Sequence, residues 1–253
     1  MQNLMINGSS LAYKASRADN AKGSILFVHG SGGDSHIWEE QLNHLPPKFC
    51  GAAIDLPGHG ASEGPLLGTI EDGARLVSKL PELLKMPRPI WLAGHSMGSA
   101  MAITAALDHP QQVDGLILVG AGSRLRVLPQ VLEALQAGKM SPEFLRFGFS
   151  PMTPASVWEK EVTALQKAGT VTLYNDFKAC DQYDRSADLD QIKVPALIII
   201  GEDDQLTPLK YSEFLHEHLS SAKLVVIPAA GHHVMLEKPA EVNRAIADFV
   251  MSV

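Results

Sequence analysis

A serine, an acid and a histidine follow one another along this chain in places where they could do nucleophilic chemistry together. Ser96 lies in Gly94-His95-Ser96-Met97-Gly98, Asp203 and Asp204 follow Gly201-Glu202, and His232 and His233 follow Ala230-Gly231. A serine hydroxyl is a weak nucleophile at neutral pH. It needs a base to take its proton, and the base needs a third group to hold its tautomer and balance its charge. Nucleophile, acid, histidine is the chain order of a triad built on a Gly-x-Ser-x-Gly turn, here Ser96, Asp204 and His232, with Asp203 and His233 as the neighbouring alternatives. The apolar run Ile90-Trp91-Leu92-Ala93 before the turn and the small residues after it predict a buried strand, a sharp turn and a helix, with Ser96 at the apex. Strand and helix then pass so close that a Cβ at position 94 or 98 would clash. Met97 opens the helix, so its N–H has no intrahelical acceptor and can face developing negative charge.

Such a constellation needs a sheet whose strand ends converge. Continuous apolar runs at 24–28, 51–56, 89–93, 115–119, 195–200 and 224–227 read as strands buried on both faces, and helical patterns lie between most of them. Residues 3–16 alternate weakly around Asn7-Gly8, as two edge strands joined by a tight turn would. Helix signals include Ser35, Thr69, Ser141, Thr153 and Thr207 as caps, with Gly138 and Gly169 as stops. Strand–helix alternation implies a parallel sheet covered on both faces. It breaks from 122 to 190, where only helical segments are found. The expected organisation is a core of residues 1–121 and 191–253 with a helical cap of residues 122–190 inserted between two core strands. In a parallel sheet, ligands bind beyond the carboxyl ends of the strands, and the candidate residues all follow predicted strand ends.

The bulk properties exclude several classes. A formal net charge of −7 offers no basic surface for nucleic acid, and no apolar run approaches the length of a membrane span. The first residues lack a signal-peptide pattern, and two widely separated cysteines, Cys50 and Cys180, read as buried free thiols in a reducing cytoplasm. No Cys/His cluster has metal-ligand spacing, so neither metal nor cofactor is expected. The oligomeric state leaves no mark in the sequence.

With these residues in view, the chain resembles the α/β-hydrolase family along essentially its whole length. The resemblance is carried by His29-Gly30, by Asp55-Leu56-Pro57-Gly58-His59-Gly60-Ala61-Ser62, by the Ser96 elbow, by Gly201-Glu202-Asp203-Asp204 and by Gly231-His232. It implies an eight-stranded, mostly parallel sheet with the cap after the sixth strand. It favours Asp204 as the acid, three residues after Gly201, and implies an oxyanion hole from the backbone N–H groups of Ser31 and Met97. A serine attacks acyl carbon, so a small-molecule ester or related acyl substrate is expected, with thioesters, enol-lactones and cleavable C–C bonds as alternatives. A non-catalytic receptor of the same fold is the reading from another class. Cap residues Phe144, Phe147 and Trp158 are candidates for an apolar substrate pocket. His29 and His59 are expected to organise loop backbone, and His95 to be a packed or hydrogen-bonded neighbour of the elbow. Asp55, Glu237 and the remaining histidines are expected at the surface or at helix ends.

Overall fold

The computed structural model describes residues 1–253. Its elements run β1 (Gln2–Ile6), β2 (Ser9–Ser16), β3 (Gly23–Val28), α1 (Glu39–Asn43), β4 (Phe49–Ile54), α2 (Ile70–Leu83), β5 (Ile90–His95), α3 (Met97–Asp108) and β6 (Gly115–Val119). After β6 come α4 (Pro129–Gln136), α5 (Pro142–Arg146) and α6 (Ala155–Gln182). The chain then returns through β7 (Ala196–Gly201), α7 (Leu209–His218), β8 (Ala222–Ile227), α8 (Val234–Glu237) and α9 (Pro239–Val250). The strands form one eight-stranded sheet in the order β1-β2-β4-β3-β5-β6-β7-β8. β1, β2 and β4 pair antiparallel, and β4, β3, β5, β6, β7 and β8 pair parallel. After β3 the chain first moves to one side, to β4, and then to the other, to β5. Such a reversal opens a crevice at the carboxyl ends of β3 and β5.

The unbroken apolar runs follow from burial of both sheet faces, because side chains alternate along each strand. Leu26, Val28, Leu116, Leu118 and Ile198 enter the larger core, shared with Ala74, Val77 and Leu80 of α2 and Ala100 and Ile103 of α3. Ile25, Phe27, Ile117, Val119 and Ile199 enter the opposite core, closed by Trp38 and by Val242, Ile246 and Phe249 of α9. The insertion has a small core of its own, formed by Leu135, Leu145, Phe149, Val162, Leu165 and Leu173. An isolated bridge between Arg124 and Asp184 joins its two ends.

Several local expectations hold. Asn7 and Gly8 both have positive φ (50° and 85°), as a two-residue hairpin turn requires. Thr69 and Ser141 accept from the N–H groups of Asp72 and Phe144. Gly169 (φ 84°, ψ 166°) breaks α6. Three caps differ. Asp34, not Ser35, accepts from His36 N–H and caps a short 3-10 turn before α1, because the turn begins at Ser35 itself and leaves the residue before it in the cap position. Thr153 turns its hydroxyl away from α6 to the Glu237 carboxylate, and Thr207 directs its own to Asp204.

Candidate active site

Ser96 sits between β5 and α3 with φ 51° and ψ −115°. Its N–H donates to the Val119 carbonyl at 2.9 Å, tying it to the end of β6. The flanking glycines are required by backbone proximity. A Cβ on Gly94 would lie 2.2 Å from the Gly98 carbonyl oxygen, and one on Gly98 would lie 2.4 Å from the Val28 carbonyl oxygen. Helix α3 therefore lies almost directly on β3 and β5, and its first residue, Met97, presents an N–H with no helical acceptor.

Asp204 and His232 meet across the carboxyl ends of β7 and β8. His232 Nδ1 donates to Asp204 Oδ2 at 2.8 Å, with side-chain exposures of 4% and 0%. Thr207 Oγ1 donates to the same oxygen at 2.8 Å, and the Leu206 and Thr207 N–H groups donate to Oδ1, each at 2.9 Å. Burial alone would raise the Asp204 pKa, but the charge and hydrogen bond of His232, followed by the Thr207 bonds, outweigh it and hold the carboxyl below its ordinary value. Asp203 faces elsewhere and accepts from the Ser150 hydroxyl. His233 stacks on Phe149, with ring centroids 4.5 Å apart, and burial above all pushes its pKa down to about 4. Nε2 of His95 donates to the His232 carbonyl at 3.0 Å, and their rings lie 4.6 Å apart. The residue preceding Ser96 thus holds the histidine loop. Among the hydrogen bonds of the structure, those of the His232 ring are to Asp204 and Thr207, and none joins it to the Ser96 hydroxyl.

The loop after β3 packs on the elbow, since a Cβ on Gly30 would lie 3.2 Å from that of Ser96. The Gly30 carbonyl accepts from Gly33 N–H at 3.1 Å and from His29 Nδ1 at 2.8 Å. Because the peptide is trans and planar, Ser31 N–H points opposite that carbonyl, and it makes no hydrogen bond of its own. His29 Nε2 accepts from Leu56 N–H, so both ring nitrogens organise backbone.

Asp55 departs from its surface expectation. It is buried and accepts from the N–H groups of Ser35 and Ala61, which holds the two loops together. His36 is likewise no surface histidine. It lies between Asp34 and Glu161, 2.6 Å from each, and these carboxylates overcome the burial that opposes its charge and raise its pKa to about 10. Glu237 accepts from Gly231 N–H, Ser150 N–H and the Thr153 hydroxyl, fastening the histidine loop to the insertion. Motif spacing could not reveal these partners, although Thr207, three residues after Asp204, has the spacing of a side chain that closes an acidic turn. Phe144 and Trp158 pack with the insertion's own core, Phe144 edge-on to Phe177 and Trp158 under Arg146. Phe147 is 49% exposed. Cys180 is buried, Cys50 is half-buried, and both are free thiols.

A family model described as the alpha/beta hydrolase family matches residues 25–245. A pimeloyl-[acyl-carrier protein] methyl ester esterase of Neisseria meningitidis is 29% identical over 90% of this chain and 94% of its own length. Monoacylglycerol lipase ABHD6 of Homo sapiens is 27% identical over 92% of this chain and 76% of its own. The solved structure of a thermophilic esterase superimposes with a TM-score of 0.86 at 35% identity, covering 99% of this chain and 97% of the other.

Proposed function

The chain belongs to the alpha/beta hydrolase family, and from that premise we propose that it hydrolyses carboxylic esters through an acyl-enzyme on Ser96. The observation that carries this reading is the Asp204–His232 hydrogen bond. With Nδ1 committed to a buried carboxylate, Nε2 is the ring nitrogen left to take a proton. His232 accepts the Ser96 proton as the hydroxyl adds to the ester carbonyl, and the Ser31 and Met97 N–H groups receive the oxyanion. Collapse of the tetrahedral intermediate expels the alcohol, protonated by His232. Water then attacks the acyl-enzyme with the same proton traffic. Asp204 stays ionised throughout and balances the imidazolium. The relatives named as esterases support ester chemistry, and the apolar composition of the insertion favours small to medium apolar acyl and alkyl groups.

The test pairs a serine-directed fluorophosphonate with 4-nitrophenyl esters of increasing acyl length. The native chain is expected to be labelled and to turn over short and medium esters, while Ser96→Ala loses both, with turnover reduced by at least ~10⁴-fold. Labelling without ester turnover would point to another acyl substrate or to a receptor. Label retained by Ser96→Ala would move the nucleophile elsewhere.

A further inference from the structure

Asp176 lies in the second half of α6, far from every motif, and its side chain is 3% exposed. Its Oδ2 accepts from Gly32 N–H at 2.8 Å and from His59 Nε2 at 2.8 Å. Gly32 adopts a left-handed φ of 67° and packs beneath Leu173 and Leu165, so a side chain there would collide with the insertion. Ser31 Oγ lies 3.7 Å from Cys180 Sγ, a second contact between this turn and α6. The two successive N–H groups of the turn are thus sorted. That of Gly32 is consumed by a carboxylate from the insertion, and that of Ser31 is left over, pointing away from the pinned Gly30 carbonyl.

We propose that Asp176 is a positioning residue for the oxyanion site, holding Gly32 so that Ser31 N–H keeps its aim, with His59 compensating the carboxylate's charge. The inference rests on Ser31 serving as an oxyanion donor in the reading above. The insertion then does more than cover the site, because it completes the turn that stabilises the transition state. The arrangement also explains why a buried carboxylate can stand one residue from a nascent oxyanion. Alone it would repel that charge, whereas paired with His59 it forms a compensated unit. Burial opposes charge on His59, but the hydrogen bond and charge of Asp176 outweigh it and raise its pKa.

The charge argument makes a prediction that a purely structural role does not. Removing His59 alone leaves an uncompensated carboxylate beside the oxyanion, so His59→Gln should be slower than the double variant His59→Gln/Asp176→Asn. Removing Asp176 with Asp176→Ala should lower kcat for 4-nitrophenyl esters by about 10- to 100-fold, short of the ~10²- to 10³-fold typical of deleting an oxyanion donor, with KM changed less than about threefold. Affinity for a trifluoromethyl ketone, whose serine adduct carries an oxyanion, should fall by the same factor as kcat/KM. Asp176→Asn, which keeps an acceptor, should recover most of the loss. If Asp176→Ala does not fold, Asp176→Asn and the double variant still decide the matter. Ketone affinity and kcat within twofold of the parent in all variants, or a double variant no faster than His59→Gln, would overturn the proposal. Ser96→Ala run alongside separates the levels. An active Ser96→Ala overturns the serine reading and this proposal with it, whereas an inactive Ser96→Ala beside a fully active Asp176→Ala overturns this proposal alone.

Discussion

Ser96 holds φ 51° and ψ −115°, a conformation that costs a residue with a side chain about 1–3 kcal/mol and that glycine adopts freely. The surrounding backbone imposes it, since Gly94 and Gly98 allow the strand and helix to close on either side. Ser96→Gly should therefore be more stable than Ser96→Ala by about 1 kcal/mol, although both lose the hydroxyl. Urea unfolding of the two variants measures the difference, and equal midpoints would mean that the elbow stores no strain. At the same scale, hydrogen bonding sets Asp204 apart from Asp203. The first carries four hydrogen bonds, among them those from His232 and Thr207, while the second serves Ser150. Spacing from Gly201 favoured this acid through family likeness. Pro208 after it marks Thr207 as a helix cap, while the spacing of three residues from Asp204 also suits a turn back to that carboxylate, and the packed chain takes the second course.

At the scale of elements, the insertion grips the core at several points, Glu161 on His36 and Asn175 on Leu67 among them, and two grips reach the loops after β3 and β8. Asp176 and Cys180 of α6 meet the Gly30–Gly33 turn, and the segment from Gly148 to Thr153 meets the histidine loop. In the second grip the Gly148 carbonyl accepts from His232 N–H at 2.8 Å, and Glu237 gathers Gly231, Ser150 and Thr153. Glu237→Ala leaves two backbone N–H groups without their acceptor, so a loss of about 1–3 kcal/mol is expected. Hydrogen exchange should quicken at residues 148–153 and 231–233 and stay unchanged in β3 and β6. Faster exchange spread evenly through the sheet would contradict a local clamp. A reading of Glu237 from its neighbours alone places it at a helix end, which is correct for the backbone of α8. Two of its three partners come from 84 and 87 residues earlier, a separation that periodicity does not register.

Across the whole molecule, five histidines with displaced pKa values divide into two groups with opposite effects on stability. Burial, reinforced by neighbouring histidine charge, depresses His29 and His233 to about 4 and lowers His95, so these stay neutral in the folded chain. Unfolding returns them to about 6.5. The unfolded chain then binds more protons as pH falls below that value, and stability drops toward pH 4. His36, raised to about 10, and His59, also raised, act in the other direction. Their stabilisation is complete below about pH 6.5 and is lost as pH climbs through their folded values. Asp204, held below its ordinary value, adds to the loss on the acid side as pH falls below about 4. Stability should therefore peak near pH 6.5. Urea midpoints at pH 4.5, 6.5 and 9 check this, and a midpoint at pH 4.5 equal to that at 6.5 would refute the acid limb. By itself the sequence determined the strands, the sheet they build and the glycine-flanked turn at Ser96. Side-chain alternation and backbone clash act over a few residues, so the chain carries those signals locally. Only the tertiary structure decided that Asp176 holds Gly32, that Glu237 and Thr207 brace the Gly231–His232 loop and Asp204, and that His36 is held between two carboxylates. Each of these depends on elements that packing brings together from distant parts of the chain, or on which way a hydroxyl turns once they have met.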